Sequence, residues 1–178
     1  MKIGTKSLLI GAHQVVLHPW YVAKAWRKLY GFPRDPRLWV AFVVHDWGYW
    51  GKSDMDGPEG ETHVELGARI MARLFGPAWG DFCRYHSRFR AQADGKPFSR
   101  LCLADKLSVA LMPRRVYLTL ARASGEIREY MARCSAEEKY AVQGMDASSE
   151  EAWFADLCEF LVAWVQAAIG QEGGSHGE

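Results

Sequence analysis

The stretch VAFVVHDWGYWGKSDMDG, residues 40–57, decides how this chain folds. Five apolar residues, Val40 to Val44, run straight into His45 and Asp46, and an aromatic loop with Trp47, Tyr49 and Trp50 follows. A carboxylate buried without a partner at the end of so apolar a segment is costly. The segment opens at Pro36 and carries Leu38, Val40, Ala41, Val43 and Val44, so the sequence predicts a helix that ends at Gly48. At a helix C-terminus the backbone dipole also disfavours negative charge. Asp46 therefore calls for a cation, and bound metal ions are the largest local charges available in such sites.

Helical signals recur on both sides of this segment. The start, MKIGTKSLLIGAH, has a short apolar run that faintly imitates a signal peptide, but it is too short and His13 and Gln14 interrupt it. It reads as a helix beginning. A helix over about 18–30 is stopped by Gly31 and Pro33. After the turn-rich GKSDMDGPEGE, a third helix is expected from Thr62 or His63, with Leu66, Ile70 and Leu74 as its apolar face and Gly76 and Pro77 as its end. A fourth covers about 77–90 and stops at ADGKP, a fifth covers 98–112 before Pro113, and a sixth covers 114–133 with Gly125 inside it.

The segment AWFADLCEFLVAWVQAAIG approaches transmembrane length, yet Asp156, Glu159 and Gln166, with Ala163, trace one narrow polar stripe on it. A membrane span is not expected. A helix packed on most sides, by its own core or by a second subunit, fits better, with Trp164 buried. No strand-like alternation and no repeat is visible. The expectation is one all-α domain over 1–170, with C-terminal helices in 114–170 and a flexible tail over 171–178.

Composition agrees. The chain has 178 residues, 49% of them hydrophobic and 24% charged, as in an ordinary soluble protein with room for one sizeable core. A net charge of +1 argues against long nucleic acid as a partner. Eight tryptophans are more than one core of this size needs, so some are expected in a groove or interface. Cys83, Cys102, Cys134 and Cys158 form no CxxC pair, which excludes zinc-ribbon and thioredoxin readings and suggests reduced, buried thiols in a cytoplasmic protein.

Polar residues now line up inside the apolar helices. His18 stands near the start of the first long helix, His45 and Asp46 end the next, and His63 opens the third. His86 is expected on the fourth. Asp105 lies on the fifth among Leu101, Leu103, Leu107 and Val109. Facing side chains projecting inward from separate helices are what a metal site in a helical bundle needs. Histidine and aspartate suit a first-row transition metal, and six such groups are too many for one ion that also binds water. Two ions sharing Asp46 fit better.

The order His18, His45-Asp46, His63, His86, Asp105 resembles the HD-domain superfamily of metal-dependent phosphohydrolases, in the branch whose two extra histidines create a dinuclear centre. LADKLS after the last histidine and HVELGARIM around His63 are further likenesses, and the resemblance covers 18–105, about half the chain. It implies a bundle of at least five helices. It also implies one divalent ion on His18, His45, Asp46 and Asp105, and a second on His63 and His86 with Asp46 bridging. Iron or manganese are the leading metals, with nickel, cobalt and zinc as alternatives. At one place the pattern departs. Many relatives carry a lysine shortly after the His-Asp pair; here Tyr49 stands there and the nearest lysine is Lys52.

The function expected from this is hydrolysis of a phosphoester or phosphoanhydride, most naturally of a nucleotide, by a metal-bridging hydroxide that attacks phosphorus in line. Asp46, Lys52 and Lys106 are the expected catalytic residues, and Tyr49, Trp50, Lys52, Arg88, Arg114 and Arg115 the expected substrate contacts. The loop from Trp47 to Glu61 would close over the centre, with Trp47, Tyr49, Trp50 and Phe89 as a base-stacking wall. Two alternatives stay open: a diiron oxygenase cleaving a C–P or C–C bond with the same donors, and a non-catalytic nucleotide-binding module, dimeric through the last helix. His13 is expected to be a surface or supporting histidine. Asp54, Asp56, Glu59 and Glu61 are expected to be solvated loop acids, and His176 is set aside in the tail.

Overall fold

The helix that carries the His-Asp pair, α3 (Pro36–Val44), starts as its sequence dictates: Pro36 occupies the first turn and the Asp35 carboxylate accepts a hydrogen bond from the Arg37 backbone N–H. Its inner face is Leu38, Ala41, Phe42 and Val44, at helical spacing. The structure, a computed structural model, describes residues 1–135 and 145–174. Among the described residues there are ten α-helices and no strand, so the fold is all-α as expected. Residues 136–144 and 175–178, the latter with His176 and half of the expected tail, lie outside the described set.

Before α3 come α1 (Ile3–Ile10) and α2 (Leu17–Tyr30). The buried face of α2 includes His18, Val22, Ala25 and Trp26, and Gly31 (φ 84°) ends it in a conformation other residues rarely adopt. After α3 the chain makes a 3-10 turn, Trp47–Tyr49, and a second one, Gly60–His63, leads into α4 (Val64–Phe75). Then follow α5 (Pro77–Arg84), α6 (Arg88–Ala93), α7 (Arg100–Leu111), α8 (Arg114–Ser124), α9 (Glu126–Ser135) and α10 (Glu150–Gly174). Gly125, with φ 88°, separates α8 from α9.

The central helix is α7. Leu101, Cys102, Leu103, Ala104, Asp105, Leu107 and Ser108 on it are all buried, with α2 on one side and α10 on another. Its leucines join Trp26, Phe42 and Val165 in the main apolar cluster. A second cluster, with Leu118, Ile127, Trp153 and Phe154, ties α8 and α9 to α10. Cys83 and Cys102 are buried in the core, whereas Cys134 and Cys158 are only half-buried, and none of the four is paired.

Four expectations are corrected. Helix α3 stops at Val44, before Gly48, because the chain tightens into a 3-10 turn there. The buried face of α4 is Val64, Gly67, Ala68 and Met71, while Leu74 is 59% exposed, so the leucine spacing marked the wrong side. His86 is not on a helix: it sits in the break between α5 and α6, where Ser87 caps α6 by accepting from the Arg90 N–H. Helix α10 continues to Gly174 and is packed along one side only, by Trp153, Phe154, Leu161, Val165 and Ala168. Trp164 is half-buried, against Phe98 and beneath Arg88. By length and composition alone α10 could cross a membrane, but it lies against α7, α8 and α9.

Candidate metal centre

Three of the donor side chains are oriented by hydrogen bonds to a carbonyl three residues earlier. The last carbonyls of a helix have no intrahelical partner. His45, one residue past α3, uses this by donating from Nδ1 to the Phe42 carbonyl at 2.9 Å. His86, past α5, does the same with the Cys83 carbonyl at 2.6 Å, and His63 with the Gly60 carbonyl at 2.7 Å. Fixing the proton on Nδ1 leaves the Nε2 lone pair of all three rings facing inward, the tautomer a metal ligand requires.

Two glycines let these turns come together. A Cβ on Gly48 would stand 1.7 Å from the His63 carbonyl oxygen, and one on Gly67 would stand 2.6 Å from that of Val44. The turn after the His-Asp pair thus presses directly on the turn that carries His63, and α4 presses on the end of α3. Gly48 is there for this approach and not to stop the helix. The Tyr49 ring then stacks flat on His63, with centroids 4.1 Å apart and planes 6° apart.

The result is one cluster in which His18, His45, Asp46, His63, His86 and Asp105 are each at most 6% exposed. Two groups of donors emerge. In the first, His18, His45, Asp46 and Asp105, the ligand atoms all lie within 4.8 Å of one another, and the same holds for the second, Asp46, His63 and His86. Asp46 belongs to both. Its Oδ2 lies 3.2 Å from Nε2 of His18 and of His45, and its Oδ1 lies 3.3 Å from Nε2 of His86.

These residues fit a metal on three counts. Nε2 of His18 faces Nε2 of His45 at 3.2 Å, and Nε2 of His63 faces that of His86 at 3.1 Å. Inward lone pairs so close repel unless a positive centre lies between them, and two nitrogens each about 2.0–2.1 Å from one ion stand roughly 3 Å apart. Second, Asp46 Oδ2 is buried without a hydrogen bond although two imidazoles crowd it. Such an orphan acceptor is expensive. Third, the protonation states conflict. Burial, then the charge of His86, pushes His63 down to about 3. Burial also opposes charge on His45, but Asp46 and Asp105 outweigh it and hold that ring up to about 10. Asp46 is kept well below the usual carboxylate range despite burial, chiefly by His45 and His18. A cation satisfies the whole set at once. The buried His and Asp groups can hold a metal ion.

A cavity of about 130 Å³ opens beside the cluster. Of the expected catalytic and substrate residues outside the donor set, Tyr49, Arg88 and Lys106 line it. Lys106 Nζ sits 3.0 Å from Asp105 Oδ2. Lys52, Trp50, Arg114 and Arg115 do not line it: Lys52 Nζ donates to Thr62 Oγ1 at 2.6 Å, and Trp50, Arg114 and Arg115 are exposed elsewhere. Phe89 borders the cavity; Trp47 does not.

The cavity also contains residues that the sequence undervalued: His13, Asp56 and Glu61. Glu61 accepts from Ser87 Oγ at 3.3 Å, and burial, then Asp56, lifts its carboxyl to about 7. His13 donates from Nδ1 to Glu126 at 3.1 Å; burial opposes its charge, but Glu126 outweighs burial and raises the ring to about 9. Glu126 is itself fully buried. Its partners come from α1, from the residues after it and from α9, so no local pattern could have singled it out. The loop acids Asp56 and Glu61 carried one signal, their crowding next to the His-Asp pair.

No family model matches the chain, and no curated protein or solved structure matches it either.

Proposed function

We propose that this protein is a metal-dependent phosphohydrolase of the HD type, carrying two divalent transition-metal ions on donors that share Asp46. The observation that carries the proposal is the pairing of the Nε2 lone pairs, His18 with His45 and His63 with His86, on either side of one carboxylate. Ions bound there would oppose the charge of phosphoryl oxygens and acidify water.

The chain's own residues supply the rest. Lys106 and Arg88 line the cavity and set positive charge beside the donors, where it can bind and orient a phosphate group. Asp105 outweighs the burial that opposes charge on Lys106 and holds its amine up. His13 is held by Glu126, and its other ring nitrogen is free to meet a substrate oxygen as a donor. Tyr49, stacked on His63, orients that ring and narrows the cavity. Lys52 and Trp50 do not line this cavity, whereas Tyr49 and Phe89 of the expected aromatic wall do.

The test is turnover of a panel of phosphate monoesters, nucleotides and phosphoanhydrides by the metal-loaded protein, with and without dioxygen. Release of inorganic phosphate in both conditions is expected. Turnover that requires dioxygen would move the site to the oxygenase class instead, and a fully loaded protein that cleaves nothing would leave the binding-module alternative.

A further inference from the structure

The cavity beside the metal donors adjoins a second, larger hollow of about 250 Å³, and His13, Asp56, Arg88 and Lys106 line both. The far wall of the larger hollow is of a different kind. It is built by Val109 from α7, Tyr117 from α8, and Trp153, Leu157, Phe160 and Leu161 from α10. Beyond the four shared residues, its polar lining is Arg133, which donates to the Asp56 carbonyl at 2.9 Å, with Tyr117, Tyr130 and Cys134. The order along the two hollows is therefore metal donors, then a junction where Lys106, Arg88 and Arg133 and one imidazole surround Asp56, then a chamber with an apolar far wall.

That order matches one kind of molecule. Resting on the phosphohydrolase assignment above, we infer that the substrate is a phosphate monoester whose organic group is apolar, an aryl or short alkyl group seated between α7, α8 and α10 with its phosphate at Lys106 and Arg88. The volume equals that of roughly eight liquid waters, at about 30 Å³ each, which suits a single ring or a short chain. A nucleoside would have to bury ribose hydroxyls and base edges against a wall with few partners for them. Sites that leave polar groups unpaired discriminate strongly against such ligands. Tyr117 and Trp153 line the hollow with one ring face each already covered, by Phe154 and Tyr130, so an organic group meets what remains of two aromatic side chains.

Two measurements on the metal-loaded protein test this. The first is kcat/KM for ethyl, butyl, hexyl and phenyl phosphate against AMP. Each methylene that enters the chamber should raise kcat/KM by roughly three- to fourfold until the chamber is full. Phenyl phosphate should exceed AMP by at least about tenfold, and Leu157→Asn should flatten the chain-length slope. The second is calorimetric binding of the matching alkyl- and phenylphosphonates, which cannot be hydrolysed. Affinity should follow the same slope.

Hydrolysis with a flat slope, or with AMP preferred, would overturn the inference and keep the phosphohydrolase. Chain-length-dependent binding without hydrolysis of any ester would keep the chamber's assignment and remove the phosphohydrolase. Absence of both slopes and of hydrolysis would overturn both. Leu157 is half-buried, so the variant's melting curve checks its fold, and the wild-type slope decides even if that variant fails.

Discussion

Replacing Glu126 by alanine removes the acceptor that ties the end of α1 to the α8–α9 corner. Its Oε1 accepts from the Ala12 N–H at 2.6 Å and Ser124 Oγ at 2.7 Å. Its Oε2 accepts from Ser7 Oγ at 3.0 Å, His13 Nδ1 at 3.1 Å and Tyr130 OH at 3.0 Å. The three hydroxyls can turn, and Ser124 already reaches the Ala121 carbonyl. The Ala12 N–H and the His13 ring keep no such freedom. Two lost bonds to a charged acceptor, at about 1.5–3 kcal/mol each, predict a loss of about 3–6 kcal/mol. At roughly 2–4 °C per kcal/mol for a chain of this size, the midpoint should fall by about 6–24 °C. Glu126→Gln keeps one oxygen and should cost about half.

The acid side gives an independent check. Burial would raise the Glu126 carboxyl, but the hydrogen bond and charge of His13, with Ala12 and Ser124, outweigh it and lower it. A depressed carboxyl contributes stability that is present above its unfolded value, about 4.3, and is lost as pH falls through its folded value. The gap between wild type and Glu126→Gln should be largest between about pH 5 and 6.5, shrink below about pH 4, and shrink again as pH rises toward the value of about 9 at which the His13 ring loses its proton, as measured by thermal melts across pH. An alanine variant melting within a degree of wild type, or a gap unchanged into acid, would refute the proposed tie.

Three further outcomes are expected. Gly48→Ala drives a methyl into the His63 carbonyl and should weaken the Asp46, His63, His86 group while sparing the other, seen as loss of about half the bound metal. Lys106→Ala should lower kcat/KM by roughly ten- to a hundredfold, the effect of one charge-assisted contact of about 1.5–3 kcal/mol, without releasing metal. Lys52→Ala, whose amine is spent on Thr62, should change kcat/KM less than threefold in the same assay.

Much of the site was legible because a helical bundle makes spacing informative. Ligand types ending or opening successive apolar helices, as at His18, His45-Asp46 and Asp105, announce themselves by the cost of putting them there. The helix breakers Gly31, Gly76 and Pro113 set the boundaries nearly as read, while Gly125 splits the expected sixth helix into α8 and α9. His86 was assigned to a helix because CRYHSRF is compatible with one, and nothing local shows that Ser87 prefers to cap a new helix. The inner face of α4 was misjudged for a related reason. It is made of small residues, Gly67 and Ala68, chosen for close approach, whereas the larger leucines look more like core. Glu126 and His13 depend on contacts between segments more than a hundred residues apart, such as Ala12 with Glu126 at a separation of 114, and the chamber gathers side chains from three separate helices, α7, α8 and α10. No periodicity records those.

The most direct test of the metal centre is elemental analysis of the purified protein after loading with iron or manganese, alongside Asp46→Ala and His63→Ala. Wild type should carry close to two ions per chain, Asp46→Ala should lose both, and His63→Ala should lose one. A wild-type protein that takes up no metal, or an Asp46→Ala variant that binds as much as wild type, would contradict the assignment.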